Sequence, residues 1–351
     1  MSAWRPRGGG ARVVITTRSL NWPNEQLTTT LGIGVLPTNQ AIQLLRQYRS
    51  QIEDEQARQL VEILGNLPLA LVLAGSYLGS YPESSIGEYL AKFDSAQSKG
   101  VKGAFAVSLG RLRSDKSVDD FSAIALLARA ACFTPGEPIA EELLIASLPS
   151  EATASATNGL MRLVHLGLLQ GLSNQSYVLH PLLAHFVATA LSEQMGNARL
   201  AVEESIIARA DNLNQTGDPR QLDALVVHLQ HLANAALERE DGVAVQLATN
   251  YGYYLRMTGN YSQARPYYER ALAICEHILG PDHPDTAARY NDLGQVLHDQ
   301  GDLQGAMLCY ERALSIYDRA LGDDNPYTAS SLSTLGVLFY SIGDLEQARQ
   351  Y

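Results

Sequence analysis

Residues 293–306 read LGQVLHDQGDLQGA and residues 335–348 read LGVLFYSIGDLEQA, so the pattern returns after 42 residues. The same step leads back to residues 251–264, YGYYLRMTGNYSQA, which keep the turn glycine and the final alanine. Further matches in this register are Leu279-Gly280 with Leu321-Gly322 and His283-Pro284 with Asn325-Pro326. A fixed period of about 20–50 residues is typical of repeat architectures, in which each unit packs on its neighbours.

Each repeat predicts two helices. In the middle repeat, apolar residues at helical spacing extend over residues 290–297 and again over residues 306–317. Between these runs, Gly301 can adopt the left-handed conformation that ends a helix. We interpret the small residues Gly294 and Ala306 as positions that let the two helix backbones approach closely. A larger side chain there would then cost roughly 1–3 kcal/mol of strain.

This pattern resembles the tetratricopeptide repeat, and the longer period with a His/Asn-Pro connector resembles the kinesin light chain variety. The resemblance covers residues 243–351 and implies an α-solenoid that binds a peptide or partner protein along its concave surface. Stacked helices without a ligand are the alternative. The last first helix carries an apolar face that lacks a following partner, so we expect its side chains to be exposed and the chain to be a fragment. These side chains are Leu335, Leu338, Phe339 and Ile342.

Composition places the chain among globular proteins. It has 351 residues, of which 46% are hydrophobic and 18% charged. The net charge of −11 disfavours a nucleic-acid partner, because phosphate binding needs a basic surface. Cys132, Cys275 and Cys309 lie far apart in the sequence, which favours a reduced, cytoplasmic setting. No apolar run approaches the roughly 20 residues that span a bilayer, so no membrane partner is expected.

Three short motifs precede the repeats. Residues 12–18 read RVVITTR and predict a buried parallel strand, residues 65–69 read GNLPL, and residues 177–182 read YVLHPL. In this order they resemble the sensor strand, the Gly-Leu-Pro-Leu motif and the Met-His-Asp-type motif of the NB-ARC and related STAND-class NTPases. The resemblance covers about residues 8–190. It implies a signalling switch that opens when ADP is exchanged for ATP.

The resemblance implies a role for three residues. Arg18 matches the arginine that approaches the terminal phosphate of ATP, for which a planar guanidinium is suited. Pro68 matches the proline that packs against adenine, and His180 matches the histidine that touches the β-phosphate of ADP. The neighbours Leu179 and Pro181 depart from the family pattern, where methionine is frequent and plant relatives carry aspartate. From the residues alone, Arg18 could be a surface arginine, Pro68 a helix start and His180 a core histidine.

The sequence contains no phosphate loop of the form G-x-x-x-x-G-K-[ST]. Its four lysines are Lys92, Lys99, Lys102 and Lys116, and none follows such a glycine loop. The acidic strand that would hold magnesium is missing as well. In the family both lie upstream of the sensor strand, so we expect an N-terminally truncated chain that is no enzyme by itself. ADP or ATP is then implied only by the resemblance, and no metal is predicted.

The motifs and the repeat predict a mainly α chain of five parts. These are C-terminal strands of an incomplete nucleotide-binding domain (1–37), a helical domain (38–112), a winged helix (113–195), a helical linker (196–242) and the repeats (243–351). Residues 32–36 predict a strand, and Thr38 predicts a helix cap. In the winged helix we expect helices at 121–131, 138–146 and 152–166 and wing strands at 168–171 and 177–179.

Three functions are open at this point. The first is a fragment of an NB-ARC/STAND switch that retains ADP-binding features, binds protein through its repeats and belongs to an oligomer in the full-length parent. The second is a plain scaffold without nucleotide function. The third is a transcription regulator, although the predicted third helix offers DNA only Arg162 and His165. The spacing of His228 and His231 fits two ligands on one helix face, but no cysteine or carboxylate follows at metal-site spacing.

Overall fold

The structure is a computed structural model that describes residues 34–351 apart from Gln97, Ser114, Lys116 and Thr216. Its first part is helical, as predicted for residues 38–112. The helices are α1 (Thr38–Tyr48), α2 (Asp54–Ile63), α3 (Pro68–Ser80), α4 (Ile86–Ser95) and α5 (Gly100–Leu109). Helix α3 lies at the centre, packed against α1 and α5. It is apolar around most of its circumference, as expected of a buried helix.

The segment before α1 differs from the prediction. Its described part, Gly34–Leu36, is irregular rather than a strand. The Leu36 amide donates to the Asn66 carbonyl (3.0 Å), and Asn66 Nδ2 donates to the Leu36 carbonyl (2.7 Å), so this segment pairs with a turn. Thr38 is the first residue of α1 and not its cap, because Pro37 holds the cap position without a side-chain bond. The predicted strand at residues 12–18 lies outside the described residues.

Residues 118–190 combine helices with a small antiparallel sheet. The elements are α6 (Val118–Ala130), β1 (Ile139–Ala140), α7 (Glu141–Ala146), α8 (Ser150–Thr153), α9 (Ala156–His165), β2 (Gln170–Gly171), β3 (Ser176–Val178) and α10 (Pro181–Ala190). The strand order is β1-β3-β2, with Ile139 opposite Tyr177 and Gln170 opposite Val178.

Two of the helices predicted here were wrong in extent. The segment 138–146 starts as a strand, because Ile139 and Ala140 pair with β3 before α7 begins. The segment 152–166 is divided into α8 and α9, because Ser155 leaves helical geometry with φ −111° and ψ 17°. The two strands predicted at 168–171 and 177–179 are present as β2 and β3, and β1 is a third strand that the periodicity did not indicate.

Helix α11 (Ser192–Asn214) is followed by a short 3-10 turn (Pro219–Leu222) and α12 (Val226–Leu237). The repeats are three hairpins, each with a first and a second helix. They are formed by α13 (Gly242–Met257) with α14 (Tyr261–Leu279), α15 (Pro284–Asp299) with α16 (Leu303–Leu321), and α17 (Pro326–Ile342) with α18 (Leu345–Gln350). The turn glycines Gly259, Gly301 and Gly343 have φ of +77°, +83° and +88°, which confirms the left-handed turns. The described chain is therefore mainly α and ends in a solenoid.

Helix α11 connects the sheet-bearing part with the repeats, because it packs against α6, α7 and α13. A buried ion pair anchors it: Arg239 Nη2 lies 2.8 Å from Glu203 Oε2, and Arg239 Nε lies 2.9 Å from Asp241 Oδ2. Asp241 in turn accepts from the Ala244 amide and caps α13. From Leu36 to Tyr351 the chain forms one compact unit with one large core and a smaller separate cluster around Ala313 and Tyr317.

The expected exposure of the last first helix is only partly observed. Leu335 and Leu338 are buried, at 0% and 1% exposure, because α16 and α18 pack against α17. Ile342, at the end of the helix, is exposed as expected.

A glycine and a tyrosine interlock in the hairpins. A Cβ atom on Gly294 would lie 2.5 Å from the Tyr310 ring, and one on Gly252 would lie 3.1 Å from the Tyr268 ring. Gly294 therefore makes room for an aromatic ring from the second helix, a contact that the predicted close approach of the two backbones did not specify. The tyrosine recurs with the 42-residue step because the ring needs the missing Cβ.

Gly294→Ala is predicted to lower stability by about 1–3 kcal/mol, because the new methyl group would force the Tyr310 ring out of its place. Gly336→Ala is the matched control: it changes the equivalent position of the next repeat, where the nearest atoms lie 3.6 Å from an added Cβ. The control should be neutral or gain up to about 1 kcal/mol from helix propensity. Urea unfolding followed by circular dichroism measures both, and equal midpoints for the two variants would contradict the interlock.

Candidate interaction face and predicted nucleotide-contacting residues

Polar side chains connect the first helices of successive repeats. Arg289 Nη1 donates to Thr249 Oγ1 (2.6 Å), and Arg256 Nη1 donates to Asp299 Oδ2 (2.9 Å), so both bonds join α13 to α15. Asn291 Nδ2 donates to Ser331 Oγ (3.3 Å) and joins α15 to α17. We call this set the first-helix face; its members are Thr249, Arg256, Arg289, Asn291, Asp292, Asp299 and Ser331.

The two arginines of the first-helix face are already neutralised. Arg256 pairs with Asp299, and Arg289 Nη1 lies 2.9 Å from Asp292 Oδ2. The four side chains keep between 18% and 28% of their surface exposed, so solvent and a ligand can reach them. The face therefore presents no unpaired arginine of this pair to an anionic ligand. It offers paired charges that are partly exposed.

Two acceptors on this face receive no hydrogen bond within the described part of the chain. They are Asn291 Oδ1 and Asp292 Oδ2, although the latter lies at ion-pair distance from Arg289. Burial raises the pKa of the Asp292 carboxyl, while Arg289 and Arg256 act in the opposite direction. Both acceptor atoms are buried, so they belong to the packing beneath the face and are not accessible to a ligand.

Tyrosines from the second helices pack beneath these charged side chains. They are Tyr268, Tyr310 and Tyr317, and each has at most 4% of its surface exposed. Burial raises the pKa of all three, that of Tyr317 to about 12, and the charge of Asp292 contributes in each case. The hydroxyls therefore stay protonated and lie close to the ion pairs. The tyrosines that pack against the hairpin glycines thus also lie close to the polar side chains of the first-helix face.

Pro68 begins helix α3. The two residues before Leu67 are left-handed, with φ +68° at Gly65 and +56° at Asn66, so the chain reverses tightly between α2 and α3. Pro68 stands at the first helical position, where its missing N–H costs nothing, and its ring is exposed. The structure thus gives Pro68 a local role as a helix start and leaves the ring accessible.

His180 begins helix α10. Its Nδ1 accepts a hydrogen bond from the Leu182 amide at 3.1 Å, so the neutral ring carries its proton on Nε2. The side chain is exposed, and partial burial lowers its pKa. A neutral imidazole with an outward Nε2–H can donate to an anionic oxygen. His180 is therefore a helix cap and not the core histidine that the sequence left open.

The third predicted nucleotide contact, Arg18, lies outside the described residues. Pro68 and His180 sit on different helices, and within the described chain no hydrogen bond joins them. Both helices pack against α5: Leu67 approaches Gly100, and the rings of Phe105 and Phe186 lie 5.8 Å apart. The structure therefore relates the two residues through α5 and not by contact.

Helix α9 is poorly suited to read DNA. Arg162 Nε lies 2.9 Å from Asp120 Oδ1, and its Nη1 also donates to the Tyr81 hydroxyl. The nearby Asn158 donates to the Asp119 carboxylate. The cleft beside this helix, of about 410 Å³, is lined by Asp119 and Asp120 as well as by Arg162, whose charge is already paired, so it offers phosphate little net attraction.

No cluster of three or more metal-binding side chains occurs among the described residues. His228 and His231, which share a helix as predicted, do not form a common site: His228 is buried with both ring nitrogens bonded to backbone groups, and His231 is exposed. Of the helices in the described part, none is both long and apolar enough to span a bilayer.

Sequence reasoning missed the first-helix face. The pairs Thr249–Arg289, Asn291–Ser331 and Arg256–Asp299 lie 40, 40 and 43 residues apart. Separations close to the repeat period are the signal that could have found them, because equivalent positions on adjacent first helices become neighbours when repeats stack.

The family comparison identifies the C-terminal part. Residues 244–319 and 309–351 match the family model of the tetratricopeptide repeat. The C-terminal helical hairpins are therefore tetratricopeptide repeats, a class that generally mediates protein–protein interaction. No curated protein sequence matches the chain significantly.

Two solved structures are similar to parts of the chain. One is BtubC (BKLC) from P. vanneervenii, with 24% identity and a TM-score of 0.37 over 46% of this chain and 63% of that one. The other is a signal transduction ATPase with numerous domains (STAND) protein with a tetratricopeptide repeat sensor from Pyrococcus horikoshii. It has 14% identity and a TM-score of 0.35 over 90% of this chain and 59% of that one. At these scores neither superposition establishes a shared overall fold, and the chain spans less than two thirds of either protein.

Asp292→Asn is predicted to raise the melting temperature at pH 7. The raised pKa means that ionised Asp292 is less favourable in the folded than in the unfolded chain. Its contribution to stability is therefore full below the ordinary value of 3.8 and is lost as pH rises through the folded pKa. Asparagine resembles the protonated acid and avoids this loss.

Thermal unfolding between pH 4 and pH 7.5 measures the effect. The difference between Asp292→Asn and wild type should grow with pH, whereas Asp285→Asn, which removes an exposed carboxylate of the same helix, should change the melting temperature little. An Asp292→Asn variant that is less stable than wild type at pH 7 would show that the carboxylate is a net stabilising partner of Arg289.

Proposed function

We propose that this chain is the partner-binding and regulatory part of a nucleotide-dependent signalling switch of the NB-ARC/STAND class. In this proposal the tetratricopeptide repeats bind a segment of another protein, and residues 38–195 retain the helical domain and winged helix of the switch. The observation that carries the binding role is the first-helix face, which joins all three repeats through polar side chains that remain partly exposed.

The binding mode follows from the state of the charges. Because Arg256 and Arg289 are paired, an acidic segment would have to break an ion pair before it gained one. An extended segment without carboxylates, which hydrogen-bonds to the exposed parts of the paired side chains and leaves the pairs intact, meets this condition. The paired charges would then fix the position of the bound segment along the face more than they would raise its affinity.

The nucleotide role rests on Arg18, Pro68 and His180. Pro68 has an exposed ring for a flat apolar contact, and His180 presents a neutral ring with an outward N–H donor, so both fit the ADP contacts that the resemblance implies. Bound ADP would supply a phosphate charge that reports the state of the switch. Without a phosphate loop in the sequence, we propose binding without hydrolysis, and no metal.

The sheet order β1-β3-β2 with helices α6, α7 and α9 supports the winged-helix assignment of residues 113–195. The paired Arg162 favours an intramolecular role for it over transcription regulation. All three cysteines are free, and burial raises the pKa of Cys132 and Cys309 to about 11, which supports a cytoplasmic setting with unreactive thiols. The alternative function is a scaffold whose repeats bind protein while the first 195 residues bind no nucleotide.

Gln295→Glu is predicted to weaken peptide binding at least about fivefold, because it places a new charge one helical turn from Asn291 and Asp299 on the exposed side of α15. Gln304→Glu is the matched control, with the same change on an exposed site of the second helix α16. Dodecapeptides selected from a random displayed library on the wild-type chain provide the ligands, and fluorescence anisotropy gives the affinities. Peptides that bind both variants equally, or a selection that yields none, would overturn the assignment of the face.

His180→Ala is predicted to weaken ADP binding by about fivefold to tenfold, the effect of losing one hydrogen bond to a charged oxygen. His185→Ala, an exposed histidine of the same helix, should leave the affinity unchanged. Isothermal titration with ADP is the measurement. Absence of heat and of a thermal shift at millimolar ADP would remove the nucleotide role and leave the scaffold.

A further inference from the structure

His228 of helix α12 is a buried histidine whose two ring nitrogens are both engaged. Nδ1 accepts a hydrogen bond from the Thr134 amide at 3.2 Å, so the neutral ring carries its proton on Nε2 and donates it to the Pro138 carbonyl at 3.0 Å. The Phe133 ring meets the imidazole edge-on, with centroids 5.1 Å apart. The side chain is 1% exposed. Helix α12 thus holds both ends of one loop through a single residue.

That loop, residues 133–138, is the connecting loop. A second contact ties it to α12, because Thr134 Oγ1 donates to the Val227 carbonyl at 3.0 Å. Three bonds therefore join the connecting loop to the helix that leads into the repeats. Loops are ordinarily the least restrained segments of a fold, so this density of backbone bonding sets the connecting loop apart.

The opposite side of the connecting loop touches the turn that carries His180. The Gly136 amide donates to the Leu179 carbonyl at 3.0 Å. Gly136 is left-handed, with φ +85°, and a Cβ atom there would lie 3.2 Å from the Pro181 ring. The loop then continues into β1, which pairs with β3, the strand that ends just before Leu179. The connecting loop is thus packed between α12 and the start of α10.

We propose that His228 is a positioning residue that couples the repeats to the His180 turn through the connecting loop. Movement of α12 with the repeats would shift Thr134 and Pro138, and through Gly136 would shift Leu179 and the cap of α10. The purpose of this coupling rests on the proposed function, since it would transmit partner binding to a nucleotide contact. The coupling itself needs neither ligand.

The hydrogen bonds between His228 and the connecting loop depend on a neutral imidazole. Protonation places a hydrogen on Nδ1, where the Thr134 amide already points, so that bond is lost. Burial lowers the pKa of His228, His231 acts in the same direction, and Glu137 and the Pro138 carbonyl oppose it. Because the folded chain binds the proton less readily than the unfolded chain, the bonds between His228 and the connecting loop weaken as pH falls below the ordinary value of 6.5.

Hydrogen exchange of the full chain without ligand tests the proposal, read at the amides of Thr134, Gly136 and Leu182 by nuclear magnetic resonance. His228→Ala should speed exchange of the Gly136 and Leu182 amides by about tenfold or more, because it removes both ring bonds. His228→Asn keeps a side-chain acceptor for the Thr134 amide and should restore most of the protection. His231→Ala, which removes an exposed histidine of the same helix, should change nothing.

A pH series separates coupling from mere packing. Relative to unprotected peptide, the Gly136 amide, whose acceptor is the Leu179 carbonyl, should exchange faster at pH 5 than at pH 7 in the wild-type chain, and His228→Asn should lack this dependence. Equal protection in His228→Ala and wild type, or the same pH dependence in wild type and His228→Asn, would overturn the proposal. Since no nucleotide is present, this outcome is independent of whether ADP binds.

Discussion

The interlock of a glycine with a tyrosine ring is the constraint on which the first two hairpins depend. Tyr310 occupies the space that a side chain on Gly294 would need, and Tyr268 does the same beside Gly252. Each ring fixes the separation of the two helices of its hairpin and carries its hydroxyl toward the ion pairs of the first helices. The polar face exists at its observed spacing because these rings lie beneath it.

Much of this architecture could be predicted from the sequence. The 42-residue period predicted the hairpins and their left-handed glycines because turn chemistry and helical spacing are local properties. The two-residue strand β1 was not predicted, since its partner β3 lies more than 30 residues away and two residues carry no period. The ring beside Gly294 was not predicted for a related reason: sequence indicates that a small residue is needed, and only the fold identifies the Tyr310 ring that needs it.

The candidate sites were predicted unevenly. Pro68 and His180 were singled out by motif resemblance, which follows order along the chain; both stand at helix starts, and their nucleotide contacts stay a prediction. What connects them to the rest could not be found, because Thr134, Gly136 and His228 are joined largely through backbone groups, which every residue type shares. The resulting path runs from the repeats through α12 and the connecting loop to the turn at His180. A second and larger connection runs beside this path, because α11 packs both against the sheet-bearing part and against α13 of the repeats.

The central claim is that α11 and α12 hold the repeats in one arrangement against the sheet-bearing part, so that a shift of the repeats is transmitted to it. Double electron–electron resonance, which measures the distance between two nitroxide labels, tests it most directly. The labels would be attached at Met161→Cys on α9 and Leu308→Cys on α16, both exposed sites, with the native cysteines replaced by alanine. The account predicts one narrow distance distribution at pH 7. A broad or two-peaked distribution would show that the two parts reorient independently and would contradict it.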